Sequence, residues 1–139
     1  MNIRRVILIV IVIILLVLGS GYCLSNMEEG MADQDDPEIV ARAAILAIET
    51  MDADKVAAYF TPIPAQGMRN RLNDIYTTYE SVRIEGLAVD CTLNEGLAAK
   101  VQAVYAMVVS RDGVPNIQHC NKMVKLVKID NKWWINEAF

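Results

Sequence analysis

The chain has 139 residues, of which 54% are hydrophobic, and a formal net charge of −4 at pH 7. Residues 26–38 carry six acidic side chains and no basic one, whereas residues 39–139 carry 11 of each sign and are neutral. A neutral domain without a basic stripe argues against nucleic acid as a partner. About 115 residues follow the apolar N-terminus, which is enough for a single small domain.

The N-terminal segment predicts a membrane location. Apolar residues run without a break from Val6 to Leu18, directly after Arg4 and Arg5, and no charged residue follows until Glu28. An uncharged stretch of this total length can span a bilayer core of about 30 Å as a helix, whereas the strict apolar run has the length of a signal-peptide core. We expect a retained membrane helix, with the arginines in the cytoplasm and the C-terminal part exported.

Two alternatives stay open for this segment, a cleaved signal peptide and a lipoprotein anchor. In the second alternative Cys23 is the candidate lipidation site, although Tyr22 stands where a small residue normally precedes a lipid-modified cysteine. The predicted organisation is therefore an anchor or signal segment over residues 1–25, an acidic flexible linker over 26–36 and a folded domain over 37–139.

Three helices are predicted after the linker. Asp36 is a favoured N-cap, and Pro37 fits the first helical position of helix one. The face expected to be buried in that helix comprises Ile39, Val40, Ala43, Leu46, Ala47 and Met51. Asp52 or Asp54 is expected to cap a second, short helix that carries Val56, Tyr59 and Phe60 and ends at Pro62 and Pro64.

The third helix has a clean apolar stripe, formed by Met68, Leu72, Ile75 and Tyr79. Arg69 and Arg71 lie off that stripe. They are compatible with an anion site, but a solvated face is the favoured interpretation.

After the third helix the apolar period changes from 3.6 to 2, which indicates strands. Alternation changes phase at Gly86, where we predict a β-bulge, because a bulge absorbs a one-residue slip. The four strands are predicted over residues 82–93, 97–110, 117–129 and 132–138, with turns over 94–96, 111–116 and 130–131.

Pairing the strands through these turns tests whether the two cysteines of the domain can form a disulfide. It sets Cys120 opposite about Met107, and Met107 opposite about Ile84, which leaves Cys91 about 23 Å away at ~3.3 Å per residue. A disulfide requires Cα atoms within about 7 Å, so none is predicted.

Three helices followed by a four-stranded antiparallel meander predict an α+β fold in which helices pack on a curved sheet. At this level the chain resembles nuclear transport factor 2-like domains, also called cystatin-like or ketosteroid isomerase-like. The run from Met123 to Ile135 is similar to the last hairpin of that family, with Asn131 where glycine is usual, and residues 48–60 are similar to its early helix–Asp–helix–Phe element. The resemblance covers residues 37–139 and implies a cone-shaped domain with a cavity.

The resemblance leaves activity open, since such domains include isomerases, small-ligand binders and secretion-machinery subunits. The candidate pocket-lining residues are Tyr59, Tyr76, Tyr79, Tyr105, Met107 and Trp134, and ordinary core packing is the competing interpretation. His119 is the only histidine, and its neighbour Cys120 points to the opposite face of a strand, so no metal site is predicted. Asp90 lies on the solvent side of its strand, and no catalytic residue or cofactor is predicted.

Three functions remain compatible with the sequence. The favoured one is a membrane-tethered, exported, non-catalytic domain that binds a small apolar ligand or a protein partner. The alternatives are a structural subunit of an envelope or secretion assembly, and an isomerase-like enzyme with a tyrosine and a carboxylate in its pocket. A homodimer is compatible with each of them.

Overall fold

The structure, a computed structural model, describes residues 33–139. The apolar run from Val6 to Leu18, the candidate lipidation site Cys23 and most of the predicted linker lie outside the described residues. Between residues 33 and 139, no helix has the length and apolar character needed to cross a membrane.

Three α-helices precede a four-stranded antiparallel sheet whose strands follow one another in chain order. The helices are α1 (Pro37–Ala47), α2 (Ala53–Ala57) and α3 (Pro62–Thr78), with a short 3-10 helix at Ile48–Thr50 between the first two. The strands are β1 (Ser81–Asn94), β2 (Ala98–Arg111), β3 (Val114–Ile129) and β4 (Lys132–Ile135). The predicted α+β architecture is confirmed.

Helix α1 begins as predicted, but its buried face agrees only in part with the predicted one, through Val40. The Asp36 side chain accepts a hydrogen bond of 2.8 Å from the Glu38 backbone N–H, and Pro37 occupies the first turn. Ile39 and Leu46, which were expected to be buried, are 45% and 41% exposed. The buried residues of α1 are Pro37, Val40, Ala41, Ala44 and Ile45. The prediction was wrong for Ile39 and Leu46, because the fully buried alanines Ala41 and Ala44 carry almost no periodic signal of their own.

The second and third helices meet at Pro62. Asp52 caps α2 by accepting hydrogen bonds from the backbone N–H groups of Asp54 and Lys55. Phe60 lies beyond the end of α2 and forms a parallel bridge with Ile135 of β4. Pro62 occupies the first turn of α3 instead of ending α2, which corrects the prediction; its missing N–H costs nothing there because helix-initial N–H groups have no intrahelical partner.

The sheet contains the predicted bulge. The register between β1 and β2 shifts between Glu85 and Ala88, and Gly86 has φ +62°, a left-handed conformation that suits glycine. The turn at Asp130 and Asn131 also forms as predicted, with both residues at positive φ.

The turn before β3 is shorter than expected. Asp112 and Gly113 alone make it, with φ of +52° and +73°, so β3 begins at Val114 and not at residue 117. Pro115 is tolerated because it pairs with Ser110 at a position whose N–H would point away from β2. At the other end, β4 stops at Ile135, three residues short of the predicted boundary.

The early start of β3 changes its predicted register. Met107 lies opposite Ile84, as expected, but Cys120 lies opposite Tyr105 and not opposite Met107. Cys91, opposite Val101, is offset from Cys120 by about four residues, or about 13 Å along the strands at ~3.3 Å each. Both thiols are free.

The core lies between the helices and the inner face of the sheet. Its largest fully buried side chains are Ile45, Met68, Leu72, Leu126, Ile135, Val40, Val56, Val101, Val109 and Val124. These come from α1, α2 and α3 on one side and from β2, β3 and β4 on the other, so the two layers share one core.

Candidate functional site

A cavity of about 300 Å³ opens between helix α3 and the inner face of β2 and β3. Its lining residues are Ile48, Met68, Arg71, Leu72, Ile75, Tyr105, Met107, Gln118, Cys120, Lys122 and Phe139. Apolar side chains make most of the wall, and the polar exceptions are concentrated in β3 and at Arg71. This combination of an apolar cavity with a few converging polar groups is typical of small-molecule sites.

Local structure explains how these side chains converge. Met68, Leu72 and Ile75 recur at helical spacing, so one stripe of α3 faces the sheet. On the sheet, Tyr105 pairs with Cys120 and Met107 with Gln118, and paired residues share a face. Alternation of side chains along β2 and β3 therefore supplies the other wall.

Tyr105 supplies the one hydroxyl among the lining residues, and 6% of its surface is exposed. Burial raises the pKa of Tyr105 well above its usual range, and the neighbouring Cys120 thiol raises this pKa further. The hydroxyl is therefore neutral at physiological pH. It can donate or accept a hydrogen bond, but it is a poor proton acceptor for catalysis.

Tyr76, which lies beside the cavity, also has a raised pKa. Its hydroxyl donates a hydrogen bond of 2.8 Å to the Ile48 carbonyl oxygen. Burial raises the pKa of Tyr76 to about 12, with a smaller contribution from the negative charge of Asp52. This tyrosine anchors α3 to the 3-10 helix, and its hydroxyl is already committed to that contact.

Two cations border the cavity. The Arg71 guanidinium donates a hydrogen bond of 2.6 Å to the Phe139 carbonyl oxygen, which places the last residue of the chain at the cavity wall. Lys122 is half-buried, and none of the ion pairs among residues 33–139 includes it. Arg69, two residues before Arg71 and absent from the cavity lining, pairs instead with Asp54 at 2.8 Å. Arg71 and Lys122 thus bring two positive charges to the cavity wall, and the Arg71 guanidinium is already hydrogen-bonded to Phe139.

The structure distributes the six predicted pocket residues over four places. Tyr105 and Met107 line the cavity, and Tyr76 and Tyr79 pack beside it against the core. Tyr59 is buried in the core. Trp134 lies elsewhere, in a cleft of about 410 Å³ that it shares with Phe60, Thr61, Pro62, Ile129, Asp130 and Lys132.

The sequence analysis missed Gln118, Cys120 and Lys122 as lining residues. They occupy every second position of β3, so their common face was readable from the alternation alone. The predicted pairing of Cys120 with Met107 differs from the observed register by two residues, which keeps the same face inward, but the predicted pocket was not extended to β3.

Groups suited to acid–base or metal chemistry lie away from the cavity. His119 is exposed and pairs with Ala106, one position from the cavity-facing pair of Tyr105 and Cys120, and Asp90 is exposed opposite Gln102. No aspartate, glutamate or histidine is among the lining residues. In the part of the chain that the structure describes, no three histidine, cysteine or acidic side chains cluster as metal ligands would.

Comparison with known proteins supports the fold and leaves activity open. No family model and no curated protein matches the chain. Among solved structures, it is similar to a proposed aromatic ring hydroxylase from Novosphingobium aromaticivorans, at 15% identity over 73% of this chain and 87% of that one, with a TM-score of 0.55. A proposed scytalone dehydratase from the same organism matches at 14% identity over 70% and 75%, with a TM-score of 0.54.

A third similar structure is a proposed calcium/calmodulin-dependent protein kinase II association domain from Xanthomonas campestris. It shares 19% identity over 78% of this chain and 94% of that chain, with a TM-score of 0.53. At such identities the likeness concerns the fold, and it is consistent with the nuclear transport factor 2-like architecture.

Proposed function

We propose that this protein is a non-catalytic, membrane-tethered domain that binds a small, compact molecule with an apolar body and an anionic group. The observation that carries the proposal is the cavity beneath α3, whose wall is apolar except where Arg71, Gln118 and Lys122 meet it. Its volume of about 300 Å³ lies at the lower end of ligand pockets, which favours a ligand of one ring or a short chain.

The anionic group follows from the charges at the cavity. Lys122 is half-buried, and its ammonium has no carboxylate partner among the described residues. A carboxylate of the ligand would supply that partner in a partly desolvated place, where a charge-assisted hydrogen bond is stronger than in water. A cationic ligand would lie beside the Lys122 ammonium, and no acidic side chain is among the lining residues.

A binding role is favoured over catalysis because of what the cavity wall contains. An isomerase-like mechanism requires a carboxylate base beside a tyrosine, and the lining residues include Tyr105 but no acidic side chain. Cys120 directs its thiol to the Gln118 carbonyl oxygen at 3.7 Å and has no histidine beside it on its own face of the strand. Some of the structurally similar proteins are proposed enzymes. Their likeness does not alter this preference, because a shared fold does not imply a shared function.

The proposed location rests on the N-terminal sequence. Arg4 and Arg5 precede the apolar run from Val6 to Leu18, a charge order that favours a cytoplasmic N-terminus and an exported domain. In that arrangement the cavity would sample molecules outside the cytoplasm, close to the membrane surface.

Methionine methyl NMR on the full chain in a mild detergent tests the ligand class. Met68 and Met107 line the cavity, so their methyl resonances report on its occupancy. Phenylacetate should shift both resonances saturably, whereas benzyl alcohol and benzylamine, of similar size, should bind at least about tenfold more weakly, a difference of ~1.4 kcal/mol.

A matched pair of variants separates the cavity from general surface charge. Lys122→Gln should weaken phenylacetate binding several-fold, and Arg69→Gln, which removes a cation paired with Asp54 outside the cavity, should leave it unchanged. Equal binding of the amine and the acid, or no saturable shift at millimolar phenylacetate, would contradict the proposed function.

A further inference from the structure

The exposed edge of β1 and the exposed edge of β3 differ in how far other segments of the chain cover them. Along β1, three side chains from the helical layer occupy the edge: Glu49 accepts from the Ile84 N–H at 2.6 Å, Glu38 accepts from the Cys91 N–H at 2.7 Å, and Arg42 donates to the Leu87 carbonyl at 3.5 Å. Such side-chain caps keep an edge strand from pairing with another chain. The β1 edge is therefore protected.

The edge of β3 has no comparable protection. Strand β4 pairs with β3 only from Leu126 to Ile129, so the 16-residue strand is paired on one side alone over most of its length. Side chains along the uncovered part are almost all exposed, including Ile117 at 58% and Met123 at 46%. No hydrogen bond from another described segment reaches the backbone between Pro115 and Lys125 on that side.

Strand geometry identifies the groups that face outward. Arg111 and Val114 flank the two-residue turn and share hydrogen bonds, so from Val114 every second residue of β3 directs its N–H and C=O toward β2. The residues between them, 117, 119, 121 and 123, direct theirs away from the sheet. The bond of 2.9 Å from the Asn136 N–H to the Lys125 carbonyl on that side agrees with this alternation.

The uncovered stretch is bounded by Pro115, which has no N–H to offer, and by Lys125, whose carbonyl is taken by Asn136. Both ends lie five residues from Cys120. An antiparallel copy of the same stretch, centred on Cys120, therefore satisfies all the outward groups of both strands. We propose that β3 pairs with β3 of a second copy in this register, which joins two four-stranded sheets into one of eight strands.

Side chains fit this register. Ile117 lies opposite Met123 of the second copy, which covers two exposed apolar side chains on the outer face. Lys122 lies opposite the neutral Gln118 of the second copy, so the one permanent charge of the stretch meets no like charge. Such a two-fold interface uses the same patch twice and closes without further growth.

Cysteine cross-linking of the full chain in a mild detergent tests this register. In a Cys23→Ser, Cys91→Ser background, Cys120 is the only thiol of the chain. In the proposed dimer the two Cys120 residues form a non-hydrogen-bonded pair with Cα atoms about 4.5 Å apart, near the lower end of disulfide distances. Copper–phenanthroline in air, which takes up the two electrons as the thiols lose their protons, should convert most of the chain to a disulfide-linked dimer.

Moving the thiol provides the register control. With Cys120→Ser also present, Gln118→Cys alone should not cross-link, because its two copies would be about four residues, ~13 Å, apart along the strands. A mixture of Gln118→Cys chains with Lys122→Cys chains should cross-link, since those positions face each other. Cross-linking through Cys120 no faster than through residue 118, or none in the mixture, would overturn the proposal.

A second variant tests the edge without any cysteine. Asn121→Pro removes an outward N–H and leaves the bonds to β2 in place, whereas Asn121→Ala retains the N–H. Sedimentation of the full chain in detergent should show at least about a tenfold weaker dimer for the proline variant than for the alanine variant, ~1.4 kcal/mol. Equal association of the two variants would contradict pairing through this edge.

Discussion

Gln34 and Trp133 exchange two hydrogen bonds across 99 positions of the sequence. The Gln34 side-chain amide donates to the Trp133 carbonyl oxygen at 3.0 Å, and the Trp133 N–H donates to the Gln34 carbonyl oxygen at 2.9 Å. Gln34 is the one buried polar residue of the described chain, with 8% exposure. A residue assigned to the flexible linker is thus fastened to β4, and the folded unit extends at least to this position.

Gln34→Ala should therefore destabilise the domain although it lies before the first helix. The substitution leaves the Trp133 carbonyl without its amide donor, and an unsatisfied buried group costs about 1–3 kcal/mol. Urea unfolding of the full chain, followed by tryptophan fluorescence, measures the effect. Asp35→Ala, an exposed neighbour, is the control and should change the free energy of unfolding by less than about 0.5 kcal/mol.

Two glycine-to-alanine substitutions should have opposite effects. Gly86 has φ +62° in the bulge, and a Cβ there meets nothing within 4 Å, so Gly86→Ala pays only the backbone cost of about 1–2 kcal/mol. Gly67 lies in α3, where a Cβ would make an ordinary contact of 4.0 Å with the Ala138 Cβ. Gly67→Ala should stabilise by up to about 1 kcal/mol, the helix-propensity difference.

Thermal unfolding of the two variants beside the unchanged chain checks these signs. A destabilised Gly67→Ala would mean that the Ala138 contact is tighter than the structure has it. A neutral Gly86→Ala would mean that the bulge relocates, because the phase change of β1 must be absorbed at some residue.

Tyr76 should make stability fall at high pH. Its folded pKa of about 12 exceeds the ordinary value near 10, so between these values the unfolded chain releases the phenolic proton while the folded chain retains it. Stability from this group is complete below pH 10 and is lost as the pH rises toward 12.

Tyr76→Phe isolates that contribution. At pH 9 the variant should be less stable by about 1 kcal/mol, because it loses the hydrogen bond to Ile48. The difference should narrow between pH 10 and 11.5 in urea unfolding of the full chain. A difference that stays constant over this range would contradict a raised pKa of Tyr76 in the folded chain.

Glu49→Ala should expose the β1 edge. The carboxylate accepts from the Ile84 N–H, and its loss returns that N–H to solvent at a cost of about 1 kcal/mol. The uncapped edge should also increase concentration-dependent aggregation, measured by light scattering. Glu49→Gln retains an acceptor, so its stability and aggregation should lie between those of Glu49→Ala and the unchanged chain. Glu95→Ala, in the exposed β1–β2 turn, should behave like the unchanged chain.

Much of the fold was readable because its signals are local. The Asp36 cap, the Gly86 bulge and the turn at Asp130 and Asn131 each depend on the conformational preference of one or two residues, and each formed as expected. Apolar periodicity likewise indicated the order of helices and strands. These features are decided within a few residues, so the sequence by itself determines them.

Other features required the whole chain. Which side of α1 is buried depends on the layer that packs against its alanines, and Ile39 and Leu46 misled because side-chain size was the only local guide. Two of the six expected pocket residues, Tyr105 and Met107, line the cavity, whereas the cross-strand neighbours of Lys122 depend on the register of β3, which differs by two residues from the predicted one. A two-residue error in a turn changes every cross-strand neighbour, whereas a local signal contains no information about neighbours.

The amino-acid sequence thus determined the element types, the caps and the bulge, because these reflect the intrinsic preferences of the residues involved. Tertiary structure alone decided the cavity wall, the docking of Gln34 on Trp133 and the unequal protection of the two sheet edges. Each of those is a contact between segments far apart in the chain. Such contacts depend on packing and register, and these are fixed only when the four strands and the helices have come together.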